Sequence, residues 1–193
     1  MVQVKKAHTR DAILRAARRL FGKRGYHLTT LSEIAREAGV STANVYVYFP
    51  SKLSLLYTIY DPWFRARLMR LERSLRRIRN SETRIYQLLH ALWCEVPAEG
   101  GGFINNVMQA VSTASPEDEY EPTLLRWAEK QVGAMIRAAL PPARRKRVDA
   151  ERLAHVLMMA LDGYAIAHHL RPGLHCDHAT LKLMTRLVLD GTA

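Results

Sequence analysis

Hydrophobic residues recur every three or four positions along most of this 193-residue chain, which is the spacing of amphipathic helices. The first such stripe lies in residues 9–24 and consists of Ile13, Ala16, Ala17, Leu20 and Phe21. No segment shows sustained alternation of period two, so a sheet is not expected. The pattern predicts an all-α protein of about nine helices.

Two short helices separated by a tight turn are predicted next. Thr30 and Glu33 have the spacing of a capping box, and Gly39 can adopt the left-handed conformation that ends a helix. Ser41 is a suitable cap for a second helix over residues 42–48. A helix, a short glycine turn and a second capped helix form the helix-turn-helix plan, in which the second helix enters the major groove of DNA.

Six further helices are predicted after this motif. Ser51 caps a long one that runs to about residue 79, with a kink or local break at Asp61-Pro62. The others are predicted over residues 81–96, 103–113, 115–140, 149–170 and 177–189. Ser115 to Asp118 form a helix start signal, and that helix either continues to Leu140 or breaks at Glu121-Pro122 and restarts.

The segment from Thr9 to Leu56 resembles the N-terminal signature of the tetracycline-repressor (TetR) family of transcriptional regulators. The matching positions are Ile13, Ala17, Phe21, Gly25, Tyr26, Thr30, Ile34, Ala35, Gly39, Val40, Ser41, Tyr46, Tyr48, Phe49, Ser51, Lys52 and Leu56. This resemblance covers about the first quarter of the chain. It implies an all-helical homodimer with a three-helix DNA-binding head, residues 1–50, and a helical body, residues 51–193. The body of such a regulator binds a small effector and carries the dimer interface.

Charge agrees with a DNA-binding head. The chain carries 29 Lys and Arg against 18 Asp and Glu, a net charge of +11, and its pI is about 10.0. Residues 1–52 hold ten of the basic and three of the acidic side chains. Neutralising phosphates requires such a concentration of cations, although RNA or an anionic membrane surface would attract it as well. The motif, not the charge, decides in favour of double-stranded DNA.

The family pattern assigns the DNA contacts. Thr42, Ala43, Asn44 and Val47 are expected to face the bases: Asn44 can pair with an adenine edge, and Ala43 or Val47 can contact a thymine methyl group. Ala43 and Asn44 depart from the Gly and Thr that are frequent there, so the operator sequence does not follow. The residues expected on the phosphate backbone are Thr30, Tyr46, Tyr48 and Lys52. Core packing is an equal alternative for Tyr46.

The body's surfaces are assigned less directly. The resemblance places the dimer interface in the last two helices, on a face that includes Leu153, Leu157, Leu161, Tyr164, Met184 and Leu187. It places the effector cavity among the preceding helices, where aromatic, soft and polar residues are available as lining: Tyr60, Trp63, Phe64, Trp93, Phe103, Asn106, Met108, Gln109 and Trp127. The class of the effector does not follow from these residues.

Two clusters invite a functional interpretation. Seven arginines lie in the run from Arg65 to Arg79. Most of them are expected to form a solvated face or to pair with the acids of residues 117–121, and binding of an anionic effector is the minor alternative. The stretch from His168 to His178 holds metal-ligand residue types, but its spacing matches no zinc pattern, so a polar loop is expected and no metal. No cofactor is expected either.

Other classes of protein are disfavoured. No phosphate loop, dinucleotide fingerprint or catalytic triad pattern is present, so the chain is not expected to be an enzyme. Cys94 and Cys176 suggest no disulfide framework, the N-terminus lacks a signal peptide's apolar region, and the longest apolar run is too short to span a membrane. We therefore expect a cytoplasmic protein with no membrane partner.

Together these observations predict a dimeric, sequence-specific transcriptional repressor that a small molecule releases from a pseudo-palindromic operator. The alternative is a DNA-binding activator, or a regulator controlled by a partner protein, without a small-molecule effector.

Overall fold

A computed structural model describes residues 2–99, 102–114, 122–171 and 176–190. Every regular element within these ranges is helical, which confirms the all-α prediction. The helices are α1 (Val2–Arg24), α2 (Leu31–Ala38), α3 (Thr42–Tyr48), α4 (Lys52–Leu75), α5 (Ser81–His90), a π-helix (Ala91–Glu95), α6 (Val96–Ala98), α7 (Phe103–Ser112), α8 (Thr123–Ala139), α9 (Pro142–Arg145), α10 (Ala150–Leu170) and α11 (His178–Asp190). With residues 81–98 taken as one continuous run, only the short α9 is added to the predicted set among the described residues.

The predicted caps around α2 and α3 are confirmed. Thr30 Oγ1 accepts from the Glu33 backbone N–H, while Glu33 returns a carboxylate oxygen to the Thr30 N–H, which completes the capping box. Gly39 has φ +69°, and Ser41 Oγ accepts from the Asn44 N–H. Local side-chain chemistry therefore sets both ends of the turn between the two helices.

Helix α4 is continuous through Pro62, so of the two alternatives at Asp61-Pro62 the local break is wrong and the kink stays a prediction. Proline removes one i→i−4 hydrogen bond but leaves the rest of the helix intact. Burial of the apolar stripe on both sides of it compensates, since Leu56, Phe64 and Leu68 are all buried. The helix ends at Leu75, four residues earlier than expected.

The run over residues 81–98 contains a π-helix that the sequence did not predict. Two carboxylates near its end, on Glu95 and Glu99, bind the buried guanidinium of Arg67 from α4; the Arg67 Nε to Glu99 Oε2 distance is 2.8 Å. The solvated face expected for the arginine run is therefore wrong for Arg67, because its charge is satisfied inside the protein.

The carboxyl-terminal helices begin close to the predicted positions. The start signal at residues 115–118 lies outside the described residues, and α8 begins at Thr123, as expected if a helix restarts after Glu121-Pro122. Asp149 caps α10 by accepting from the Arg152 N–H.

The chain divides into two compact units. The first comprises residues 1–63 and 101–121, and the second comprises residues 64–100 and 122–193. The first unit is built on α1, α2 and α3, whose buried side chains include Ile13, Phe21, Ile34 and Val45. The second packs α10 against α8 and the π-helix, and α5 against α11. The boundary expected between a head and a body at residue 50 stays a prediction.

None of the helices in the described ranges has the length and apolar character that crossing a membrane would require.

Candidate DNA-binding site

Helix α3 presents one face to solvent and inserts the other into the first unit. Val45 is fully buried and Phe49, just after the helix, is also buried, so these two side chains anchor α3. Ala43 and Asn44 are exposed, and Val47 is 75% exposed. An exposed large apolar side chain beside an exposed amide suits base edges, which offer both methyl groups and hydrogen-bonding atoms.

Asn44 is positioned by its backbone and leaves its side chain available. Its N–H donates to Ser41 Oγ at 3.1 Å, which fixes the first turn of α3. Its side-chain amide has no partner among the described residues. A carboxamide of this kind can make two hydrogen bonds to one adenine.

Tyr46 and Tyr48 differ in exposure. Tyr46 is 54% exposed, so the core-packing alternative for this residue is wrong. Tyr48 and Thr42 are half-buried, whereas Thr30 is exposed at the start of α2. Tyr46 and Thr30 are therefore accessible to a phosphate backbone, and Tyr48 and Thr42 are partly accessible.

Lys52 has a structural role that the sequence did not reveal. Its Nζ donates to the carbonyl oxygens of Tyr26 and Thr29, each at 3.0 Å, and lies 4.2 Å from the centre of the Tyr26 ring. Partial burial lowers the pKa of this amine from its ordinary value. An ammonium group has three donors, so one N–H remains for a phosphate while the other two tie α4 to the turn after α1.

Cations surround the same unit. Arg10, Arg15, Arg18 and Lys23 are exposed along α1, and Arg36 is exposed on α2. Arg19 and Arg24 are paired with acids of α2, at 2.5 Å to Glu37 and 2.5 Å to Glu33. The other five have no ion-pair partner among the described residues, so they leave positive charge on the surface of the first unit, as counterion release on a phosphate backbone requires.

Hydrogen bonds to Glu33 make the stability of the head sensitive to acid. The Thr30 N–H, followed by the Arg24 guanidinium, lowers the pKa of Glu33 to about 2. Because the folded pKa is depressed, the stabilisation is fully present above the ordinary carboxyl pKa of about 4.5 and is lost as pH falls towards 2.

We expect the thermal midpoints of wild type and Glu33→Gln to converge as pH falls from 5 to 3. Glutamine at this position keeps the capping box but does not titrate, which makes it the matched control. Thermal unfolding followed by circular dichroism measures the difference, and parallel pH curves for the two proteins would contradict the expectation.

Asn106 belongs to the same unit and makes structural contacts there, while its assignment to the effector cavity stays a prediction. Its Oδ1 accepts from the Tyr26 N–H at 2.5 Å, and its Nδ2 donates to the Phe21 carbonyl at 3.2 Å. The side chain is only 2% exposed, so both ends of the amide are committed to the turn after α1. Gln109 repeats the arrangement at the next turn of α7, where its Oε1 accepts from the His27 N–H at 3.2 Å.

The other residues predicted to line an effector cavity fall in both units. Tyr60 and Trp63 pack together in the first, with ring centres 5.6 Å apart, and Met108 is half-buried there. In the second, Phe64 and Trp93 are buried, and the Arg65 guanidinium lies 4.4 Å from the ring centre of the half-buried Trp127. The Phe103 side chain lies outside the described part of the chain. The assignment of these residues to a cavity stays a prediction.

The residues predicted for the dimer face differ in their exposure. Leu157 and Leu161 are each 1% exposed and pack inside the second unit, and their assignment to the interface stays a prediction. The Tyr164 ring is tilted against the Trp93 ring, with ring centres 5.4 Å apart, and Leu153, Met184 and Leu187 are half-buried. The large apolar side chains that α10 exposes to solvent are Val156, Met159, Ile166 and Leu170.

With Gly163, these four residues form what we call the α10 stripe: Val156, Met159, Gly163, Ile166 and Leu170. The spacing alternates between three and four residues, which keeps all five on one side of a helix. Gly163 is exposed, and a Cβ added there would meet nothing within 4 Å. Leu183 of α11 is also exposed.

No metal site is formed by the described residues, where no three His, Cys, Asp or Glu side chains come together in a suitable way. His175, a member of the predicted polar loop, lies outside them.

Comparison with known proteins identifies the first unit. Residues 13–58 match the family model described as bacterial regulatory proteins, tetR family. Over 48 residues the chain is 48% identical to the HTH-type transcriptional regulator HbdR of Aromatoleum sp. (strain CIB). That match spans 25% of this chain and 21% of HbdR, about a fifth of the relative's length.

The fold of the whole chain also has solved counterparts. The fatty acid degradation regulator FadR from Bacillus halodurans aligns with a TM-score of 0.67 at 16% identity, over 95% of this chain and 99% of that one. FadR from Bacillus subtilis, solved in complex with stearoyl-CoA, aligns with a TM-score of 0.66 at 14% identity, over 94% and 98% of the two chains. At such identities the likeness shows a shared fold.

Proposed function

We propose that this chain is a transcriptional regulator of the TetR family, and that it is a dimeric repressor released from a pseudo-palindromic operator by a small-molecule effector. The observation that carries the DNA-binding part is the exposed face of α3, where the Asn44 amide, which has no partner among the described residues, lies near Val47. Bound stearoyl-CoA in a regulator of the same fold supports the effector-binding part.

Two heads are needed because one helix reads too few base pairs to bind tightly. In a dimer the two recognition helices would enter successive major grooves about 34 Å apart, which explains why a pseudo-palindrome is expected. The α10 stripe supports the dimer: an exposed row of apolar side chains on a protein of net charge +11 marks a surface that another protein covers.

The experiment that tests this function is selection of bound fragments from the host's genomic DNA, followed by a salt titration on the best fragment. A recovered pseudo-palindrome, a dimer-sized footprint and a steep salt dependence are expected. Equal, weak binding to all sequences would reject the proposal. Candidate effectors are then screened for release of that fragment, and an operator that no small molecule releases would favour the activator or partner-controlled alternative.

Asn44→Ala and Lys52→Ala are expected to have different effects on DNA binding: the first on sequence preference, and the second on affinity for the phosphate backbone. Loss of the Asn44 amide should relax preference at one position of each half-site by about 1–3 kcal/mol. Loss of Lys52 should weaken binding to all sequences alike and reduce the slope of log K against log salt by about 0.9 for each head. Base preferences selected from a random library, measured alongside the salt slope, test both. Identical base preferences for wild type and Asn44→Ala would refute the assignment of Asn44.

A further inference from the structure

The second unit carries a concentration of positive charge that DNA binding by the head does not use. Residues 72–84 and 137–152, which we call the helix-end patch, hold eleven Lys and Arg against four Asp and Glu, a net charge of +7. The rest of the chain beyond residue 52 holds eight basic and eleven acidic side chains. Outside the head, the excess of positive charge is therefore confined to these two segments.

The structure brings the two segments together. Arg84 at the start of α5 donates from Nη1 to the Ala138 carbonyl, at 2.8 Å, and from Nε to the Ile78 carbonyl, at 2.9 Å. One side chain thus joins the chain just after α4 to the end of α8. The sequence shows two separate basic runs, and only the fold shows that they share one end of the second unit.

Some of the patch cations make hydrogen bonds or ion pairs within the protein. Arg84 and Arg145 bind carbonyl groups at helix ends, where a cation also complements the helix dipole. Arg76, Arg137 and Arg152 pair with Glu72, Glu151 and Asp149. These contacts account for five of the eleven cations.

Other cations of the patch have no internal role. Arg77, Arg79, Lys146 and Arg147 are exposed, and none of their side chains has a hydrogen-bond or ion-pair partner among the described residues. Exposed cations held close together repel one another, so an anionic partner would be stabilising there.

The surroundings of the patch indicate which polyanion fits. The large exposed hydrophobic residues of the described chain all lie outside residues 72–84 and 137–152. A membrane-binding surface needs apolar anchors, and a protein interface needs an apolar centre depleted of charge. Interfaces with nucleic acid are polar and strongly positive instead, and arginine binds phosphate in a bidentate manner. Ten of the eleven patch cations are arginines.

We propose that the helix-end patch is a second, sequence-independent binding site for the phosphate backbone of double-stranded DNA. The protein would then hold one duplex through its heads and another through this patch, and so bring two DNA segments together. This site is separate from the face of α3 and does not depend on the identity of the operator.

The variant that tests it is R77Q/R79Q/K146Q/R147Q, which removes four cations without internal partners. The matched control is R126Q/K130Q/R171Q/K182Q, since these residues of the same unit are also exposed and without side-chain partners among the described residues. Both variants change the net charge by the same amount, so a general electrostatic effect would appear equally in both.

The assay mixes the full-length protein with two random-sequence 30-base-pair duplexes, one labelled with a donor and one with an acceptor fluorophore. Energy transfer reports complexes that hold two duplexes. We expect transfer with wild type and the control, and affinity for the second duplex reduced about tenfold or more in the patch variant at 0.1 M salt. The salt slope for the second duplex should fall by about 3 to 4 for four lost phosphate contacts. Binding of the genomically selected fragment should be equal in all three proteins.

Other outcomes would overturn the proposal. No transfer with wild type, or equal transfer with both variants, excludes a second DNA site in the patch. If the patch variant alone no longer binds the genomically selected fragment, the patch is part of the primary DNA-binding site. That result would reject the assignment of the primary site to the head. Polyglutamate and vesicles containing phosphatidylserine serve as competing anions. Patch-dependent binding to either of them, without two-duplex complexes, would show that the partner is an acidic protein or a membrane.

Discussion

Asn106→Ala is expected to destabilise the first unit by about 2–3 kcal/mol. The substitution removes the buried hydrogen bond from the Tyr26 N–H to Asn106 Oδ1, and loss of a buried hydrogen-bond partner costs about 1–3 kcal/mol. It also removes the bond from Nδ2 to the Phe21 carbonyl, although that oxygen keeps the Gly25 N–H as a donor.

Urea unfolding measures this loss, and hydrogen exchange at the Tyr26 amide locates it. Asn106→Leu restores the side-chain volume but not the hydrogen bonds. If the lost hydrogen bonds account for most of the destabilisation, this variant should be nearly as unstable as Asn106→Ala. Gln109→Ala is the matched control, because Gln109 makes a single bond to the exposed His27 and its loss should cost less than about 1 kcal/mol. Equal destabilisation by Asn106→Ala and Gln109→Ala would show that the buried amide has no special role.

Ile166→Glu is expected to abolish dimerisation and to reduce operator affinity by about 10²–10⁴-fold. The position is exposed at the centre of the α10 stripe, so the monomer should tolerate the carboxylate. A dimer that buries the stripe would have to desolvate two unpaired charges. Separated heads lose the effective concentration that linkage gives to the second half-site, which accounts for the size of the effect.

Sedimentation velocity and binding of the selected fragment test this prediction together. His169→Glu introduces the same charge at another exposed position of α10, outside the stripe, and should leave both readouts unchanged. A dimer that survives Ile166→Glu would mean that another surface joins the protomers.

The sequence predicts the head well because local signals determine it. Thr30 with Glu33, Gly39 and Ser41 each act on backbone groups within a few residues, and all are found in the predicted roles. The exposed and buried sides of α3 follow in turn, since a seven-residue helix anchored by Val45 has only one side left for solvent.

The remaining features depend on contacts between distant residues. The hydrogen-bond partners of Asn106 lie 80 and 85 residues away in the sequence. Nothing in the neighbouring sequence shows whether Asn106 binds the backbone of the head or lines a cavity. Periodicity finds the apolar positions of α10 but cannot tell Leu157, which is buried, from Val156, which is exposed, because α10 is apolar around most of its circumference. Arg67 was grouped with its exposed neighbours for the same reason, since its acidic partners come from another helix.

The hydrogen bonds from Asn106 and Gln109 of α7 to the backbone just after α1 also limit how far the helix-turn-helix can be moved as a separate module. Residues 1–63 form one compact unit only together with a stretch that begins about forty residues later in the chain. A chimaera that joins residues 1–50 to the body of another regulator would lose the amides of Asn106 and Gln109, and would present the buried Tyr26 N–H to whatever residues the new body supplies. Transplanting the DNA specificity of this protein therefore requires grafting α7 along with the helix-turn-helix, or choosing a recipient with a carboxamide at the equivalent position.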